Sequence, residues 1–214
     1  MAEVVDADRT PVSTRRLEAF TDGVFAIAAT LLVLDLNVSQ LGDVHTDAEL
    51  WNALAGQSFN LVSLVISFLL LATLWRIHVW QFEYVIRVDA RTVLLNTLRL
   101  LGVVLIPFTT SLISNYNDLL PGRILLPINY LFVIAVSTVQ WFHLTNPKRA
   151  LVEGLSPEAI RSTKAGTLVA LALAVLTVVL SPWLGSLAFF VQLLNPVFDR
   201  IRMPRPTPPR KRHH

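Results

Sequence analysis

The stretch "RRLEAFTDGVFAIAATLLVLDL", Arg15 to Leu36, decides how the rest of the chain is read. Two arginines precede a run that is apolar almost throughout, yet Asp22 sits near its start and Thr30 near its middle. A bilayer core ~30 Å thick is crossed by about 20 helical residues, which is the length of this run. The whole chain shares its character. Of 214 residues, 53% are hydrophobic and 15% are charged, against roughly 25% charged in an average soluble domain. The mean hydropathy is +0.56. So little charge does not cover a soluble surface, and the apolar residues come in long blocks, so an all-α integral membrane protein is expected. The absence of cysteine excludes disulfides, thiolate metal sites and cysteine nucleophiles.

Six blocks approach spanning length, near residues 18–37, 57–79, 92–114, 121–142, 165–181 and 183–198. Ser181-Pro182 separates the last two, and a hairpin is expected there because proline breaks the helix interior. Residues 1–199 then form one six-span membrane domain, and 200–214 form a basic Pro/Arg-rich tail that reads as disordered. Charge supports this topology. With both termini cytoplasmic, the inner side receives Arg9, Arg15, Arg16, Arg76, Arg87 and Arg91, then Lys148, Arg149, Arg161, Lys164 and the tail's basic cluster. Arg123 is the one basic residue left in the outer loops, which is the positive-inside pattern. The alternative, that "STRRLEAF" opens a cleaved twin-arginine signal, lacks a small-residue cleavage site after Leu36 and ignores the five later spans.

On a helix advancing about 100° per residue, Phe20, Gly23, Ile27, Leu31, Leu34 and Val38 share one stripe with Thr30 at its edge. Glu18 and Asp22 point away from it. Periodicity does not separate packing or lipid contact from pore lining. An acid inside a span needs a donor, since its insertion costs about 2.5–3.5 kcal/mol at mid-bilayer and less near the interface. Trp75 and His78, three apart in "LLATLWRIHVW", offer N–H groups to Asp22 or Thr21. The same two residues also read as an interfacial tryptophan and a snorkelling histidine.

Arg16-Leu17-Glu18-Ala19-Phe20-Thr21-Asp22 resembles the R-x-x-x-F-S-D signature of the transmembrane protein 175 family, which comprises endosomal and lysosomal potassium channels and prokaryotic relatives. The similarity continues through Trp75-x-x-His78 and "LLNTLRLLGVVLIPFTTSLI", with Asn96, Pro107 and Phe108, and it fades over the last three spans. Thr21 departs from the family serine but keeps the hydroxyl. The resemblance implies a potassium-permeable channel, a homotetramer whose first helices line a central pore. It implies a hydrophobic constriction at Ile27, Leu31 and Leu34, with selectivity influenced by Thr30. It implies that Arg16, Phe20, Thr21 and Asp22, with Trp75 and His78, anchor the pore helix.

No carbonyl filter sequence is present, so selectivity is expected to rest on the cost of dehydrating the ion at a narrow apolar ring. Asp35, Asp43, Asp47 and Glu49, with Asp118, either concentrate cations at the outer mouth or belong to an ordinary solvated loop. A proton pathway through Asp22 and His78 is the first alternative function, and a secondary transporter is the second. No phosphate loop, zinc-protease motif or nucleophile elbow appears, so no catalytic residue, cofactor or resident metal is expected. The resemblance implies potassium as the permeant ion and other copies of the chain as partners, and membrane lipids are expected around the spans. The basic residues are explained by topology, so nucleic-acid binding is not invoked. A prokaryotic plasma membrane is the expected location.

Overall fold

The computed structural model describes residues 12–36 and 41–194. Arg9, Val38 and the basic tail at 200–214 lie outside the described residues. The elements run α1 (Thr14–Leu31), continued by a 3₁₀ turn (Leu32–Asp35), α2 (Asp47–Gly56), α3 (Ser58–Phe82), α4 (Ala90–Asn115), α5 (Leu120–Leu144) and α6 (Pro157–Leu184). A 3₁₀ segment, Gly185–Leu194, follows. Among the described residues, five helical stretches are long and apolar enough to cross a membrane. The protein is an all-α multi-pass membrane protein.

The interior mixes an apolar core with small and polar side chains, and the outside is largely apolar. Inside lie Ser63, Ser67, Asn96, Thr110, Gln140 and Thr177, while Phe68, Leu101, Phe108 and Leu168 are exposed. Where lipid is as apolar as leucine, small and hydroxyl side chains let helices approach and bond across the contact. The Thr110 hydroxyl donates to the Ile106 carbonyl at 2.8 Å and so accepts from the Ser67 hydroxyl 2.7 Å away, tying α4 to α3. The tightest approach is between α4 and α5. A Cβ added at Gly102 would stand 2.5 Å from Val133 Cγ2, and Asn129 Nδ2 donates to the Gly102 carbonyl at 2.9 Å.

The expected hairpin at Ser181-Pro182 falls three residues later. Helix α6 runs through Pro182 to Leu184. Pro182 lacks the N–H that would reach the Val178 carbonyl, and Ser181 Oγ donates to that carbonyl instead at 2.8 Å. The reversal is at Gly185, whose φ of +55° suits glycine. Beyond it the chain doubles back, and Gln192 Nε2 donates to Thr177 Oγ1 at 2.8 Å across the hairpin. The fifth apolar stretch, Pro157–Leu194, therefore covers the expected fifth span and the described part, to Leu194, of the expected sixth, and the described residues give five spanning stretches rather than six.

The two loops expected inside are joined. A single antiparallel bridge pairs Val85 with Val152. Asp89 caps α4 by accepting from the Thr92 N–H and the Thr92 hydroxyl, both at 2.7 Å. It also accepts from His143 Nε2 at 2.8 Å and from Arg149 Nη1 at 3.1 Å. Burial pushes the Asp89 carboxyl up, but the Thr92 hydroxyl and amide, and then His143, outweigh it and hold the group below its ordinary value. A core of Leu17, Phe82, Val85, Trp141, Leu144 and Leu151 lies beneath and fixes the start of α1 to these joined loops.

Candidate functional site

Helix α1 has two unlike faces. Ser13 opens it, its hydroxyl accepting from the Arg16 N–H. Leu17, Thr21, Phe25, Ala28 and, past the helix end, Leu32 are buried against α3 and α4. The other face carries Phe20, Ile27, Leu31 and Leu34, which are 61%, 62%, 41% and 69% exposed in the single chain. Gly23, between Phe20 and Ile27 on that face, has nothing within 4 Å of a Cβ built on it. The sequence stripe is thus an open apolar surface along one side of a helix whose other side is fixed. Thr30 joins it at the edge. Its Oγ1 donates to the Ile27 carbonyl at 2.8 Å, so the hydroxyl proton is committed and the lone pairs are the part left to interact.

The fixed side is polar at the level of the motif. Trp75 Nε1 donates to Asp22 Oδ1 at 2.9 Å, joining α1 to α3. Thr21 is fully buried. It donates to the Leu17 carbonyl at 2.8 Å and accepts from Asn96 Nδ2 at 2.8 Å, joining α1 to α4. His78, expected to donate to Asp22 or Thr21, meets neither. It is buried, and Arg99 Nη1 donates to its Nδ1 at 3.2 Å. A guanidinium has no acceptor, so His78 Nδ1 must be the acceptor in that contact. The physical reason is the buried arginine: Arg99 is 1% exposed and needs acceptors, which it finds in His78 and the Leu74 carbonyl. Its guanidinium also lies 5.7 Å from the centre of the Phe25 ring. The pair Asp22–His78, on which a proton relay would rest, is not brought together.

Two other expected anchors sit elsewhere. Phe20 lies on the open stripe, and the Arg16 side chain is exposed near the N-terminal end of α1. At the C-terminal end, Asp35 accepts from Asn115 Nδ2 at 3.1 Å, which pins the 3₁₀ turn after α1 to α4. Glu49 accepts from the His45 and Thr46 N–H groups and closes a capping box on α2, and these backbone bonds hold its carboxyl below the ordinary range. Asp43, Asp47 and Asp118 stay exposed.

Residues 16–107 match the family model described as the endosomal/lysosomal potassium channel TMEM175. A potassium channel of Streptomyces collinus is 33% identical over 153 residues, which cover 70% of this chain and 73% of that one. The chain belongs to the TMEM175 family. Among solved structures, a lysosomal potassium-selective channel TMEM175 homolog from Chamaesiphon minutus superposes with a TM-score of 0.69 at 26% identity, covering 84% of this chain and 96% of that one. The TMEM175 proton channel of Gallus gallus is 35% identical over 113 residues, half of this chain and 23% of that protein. The matched residues include the open stripe through Leu34 and Thr21, Asp22, Trp75, His78, Asn96 and Arg99 behind it.

Three structural contributors carried little signal before the fold was known. Arg99 had one, because an arginine inside an apolar run is costly and marks a buried partner. Helix α2 had another, the Thr46-x-x-Glu49 capping box inside a stretch otherwise read as loop. Arg123 had none. It donates to the carbonyls of Asn117, Asp118 and Pro182, clamping the α4–α5 turn to the end of α6, and that convergence exists only in three dimensions.

Proposed function

We propose that this TMEM175-family chain is one subunit of a potassium-permeable channel, four copies of which set α1 around a central axis. The observation that carries this reading is the asymmetry of α1. Bonds to α3 and α4 fix its back, while Ile27, Leu31 and Leu34 are left open on its front. A helix held this firmly presents its free face in a fixed direction, which a pore requires and lipid contact does not. The potassium channels among its relatives support the choice of ion.

Four copies of Ile27 form an apolar ring that excludes water when narrow and conducts when it widens. Potassium is larger than sodium and sheds water at lower cost, so such a ring favours potassium. Thr30 lies about 4.5 Å further along the helix, where its unused lone pairs replace part of the ion's hydration. Asp43 and Asp47 raise the cation concentration at the outer mouth and do not select among cations. The ion passes through and is not a resident cofactor. The return limb Gly185–Leu194 begins a sixth crossing that leaves both termini on the cytoplasmic side of a prokaryotic plasma membrane.

A flux assay tests this directly. Liposomes holding the purified chain and loaded with potassium chloride should release potassium faster than sodium-loaded ones release sodium. Thr30→Ala should narrow that difference while flux persists. Release that is saturable and locked to a counter-substrate would instead indicate a transporter. Release only along a pH gradient would indicate a proton path.

A further inference from the structure

A cavity of about 440 Å³ lies at the inner ends of α4, α5 and α6, away from the α1 stripe. Its polar side is formed by Arg91, His143, Asn146 and Arg149, and its apolar side by Val139, Phe142 and Leu168. No carboxylate lines it. The nearest one, Asp89, is already engaged by Thr92, His143 and one nitrogen of Arg149. Arg91 is exposed and has no ion pair among the described residues. Lys164 adds a third cation at the rim, its ammonium 5.0 Å from the centre of the Phe142 ring. The volume lies within the roughly 300–1,000 Å³ of ordinary ligand sites.

The apolar side continues onto the outer surface of the bundle. Val139, Phe142 and Leu168 are exposed, as are Val175 and Leu176 further along α6. A cationic end and an apolar track therefore meet at the height where helices leave the membrane. We propose that this cavity binds one anionic phospholipid, its phosphate between Arg91 and Arg149 and an acyl chain along Val139 and Leu168. Basic pockets between spanning helices suit such headgroups, and the apolar track favours a lipid over a free phosphate ion. The site is independent of whether α1 lines a pore.

Native mass spectrometry of the full chain in detergent provides the test, with phosphatidylglycerol and phosphatidylcholine of identical acyl chains as probes. Phosphatidylglycerol should bind at least about five-fold more tightly, the weight of one basic residue against an anionic lipid. Arg91→Gln should remove about that factor for phosphatidylglycerol only, and Arg91→Lys should restore most of it. Leu168→Trp keeps every charge but fills the track, and it should also weaken phosphatidylglycerol. Both side chains are exposed, so neither change disturbs the core. Equal binding of the two lipids would reduce the site to ordinary boundary lipid and overturn the proposal. Full retention of phosphatidylglycerol in Arg91→Gln would do the same. Displacement of the lipid by inorganic phosphate, with Leu168→Trp silent, would replace it with a simple anion site.

Discussion

At the scale of single residues, the motif divides its labour between back and front of one helix. Thr21 is the pivot of the back, because its hydroxyl both donates within α1 and accepts from Asn96. Thr21→Val leaves the buried Asn96 amide without an acceptor, which costs about 1–3 kcal/mol. Thr21→Ser keeps the hydroxyl, as the family signature itself does. Thermal melting in detergent should separate the two variants clearly, and equal melting would remove Thr21 from the anchor. Asp89 makes a different prediction at the inner layer. Its folded carboxyl lies below the ordinary 3.8, so its contribution is fully present above that value and is lost as pH falls through the lower folded value. The wild type should therefore lose melting temperature more steeply than Asp89→Asn below about pH 4. Parallel acid profiles would contradict that assignment.

At the scale of elements, two glycines in spanning helices have opposite duties. Gly102 lets α4 and α5 touch, and Gly102→Ala drives a methyl into Val133 and Phe132 at a cost of about 1–3 kcal/mol. Gly23 faces open space in the single chain, so Gly23→Ala should cost nothing and gain up to about 1 kcal/mol from helix propensity. Melting losses of equal size would put a neighbouring helix hard against Gly23. Helix identity was legible in the sequence because spans are read from length and hydropathy, and α1's faces were legible because burial follows the 3.6-residue period. Trp75 was one of two donors the sequence offered to Asp22 or Thr21, because donors and acceptors at equal depth are few, and the structure pairs it with Asp22. His78 could not be assigned this way. Its partner is set by how α4 rotates Arg99 inward, and neither rotation nor convergence leaves a local trace. The same is true of the reversal at Gly185, where Ser181 silently compensates the proline that seemed to mark the break.

At the scale of the whole molecule, the single chain is complete on one side and open on the other. Its core seals α3 to α6 and the back of α1, while the front of α1 is exposed in the single chain. A tetramer built on that front makes Ile27 the residue through which all current passes. The decisive measurement is a planar bilayer recording with potassium chloride on one side and sodium chloride on the other, comparing wild type with Ile27→Asn. The wild type should show a reversal potential favouring potassium. The variant, with a wettable ring in place of an apolar one, should conduct more and lose most of that preference. A potassium-selective current unchanged by Ile27→Asn would contradict the central claim and place the constriction away from the α1 stripe.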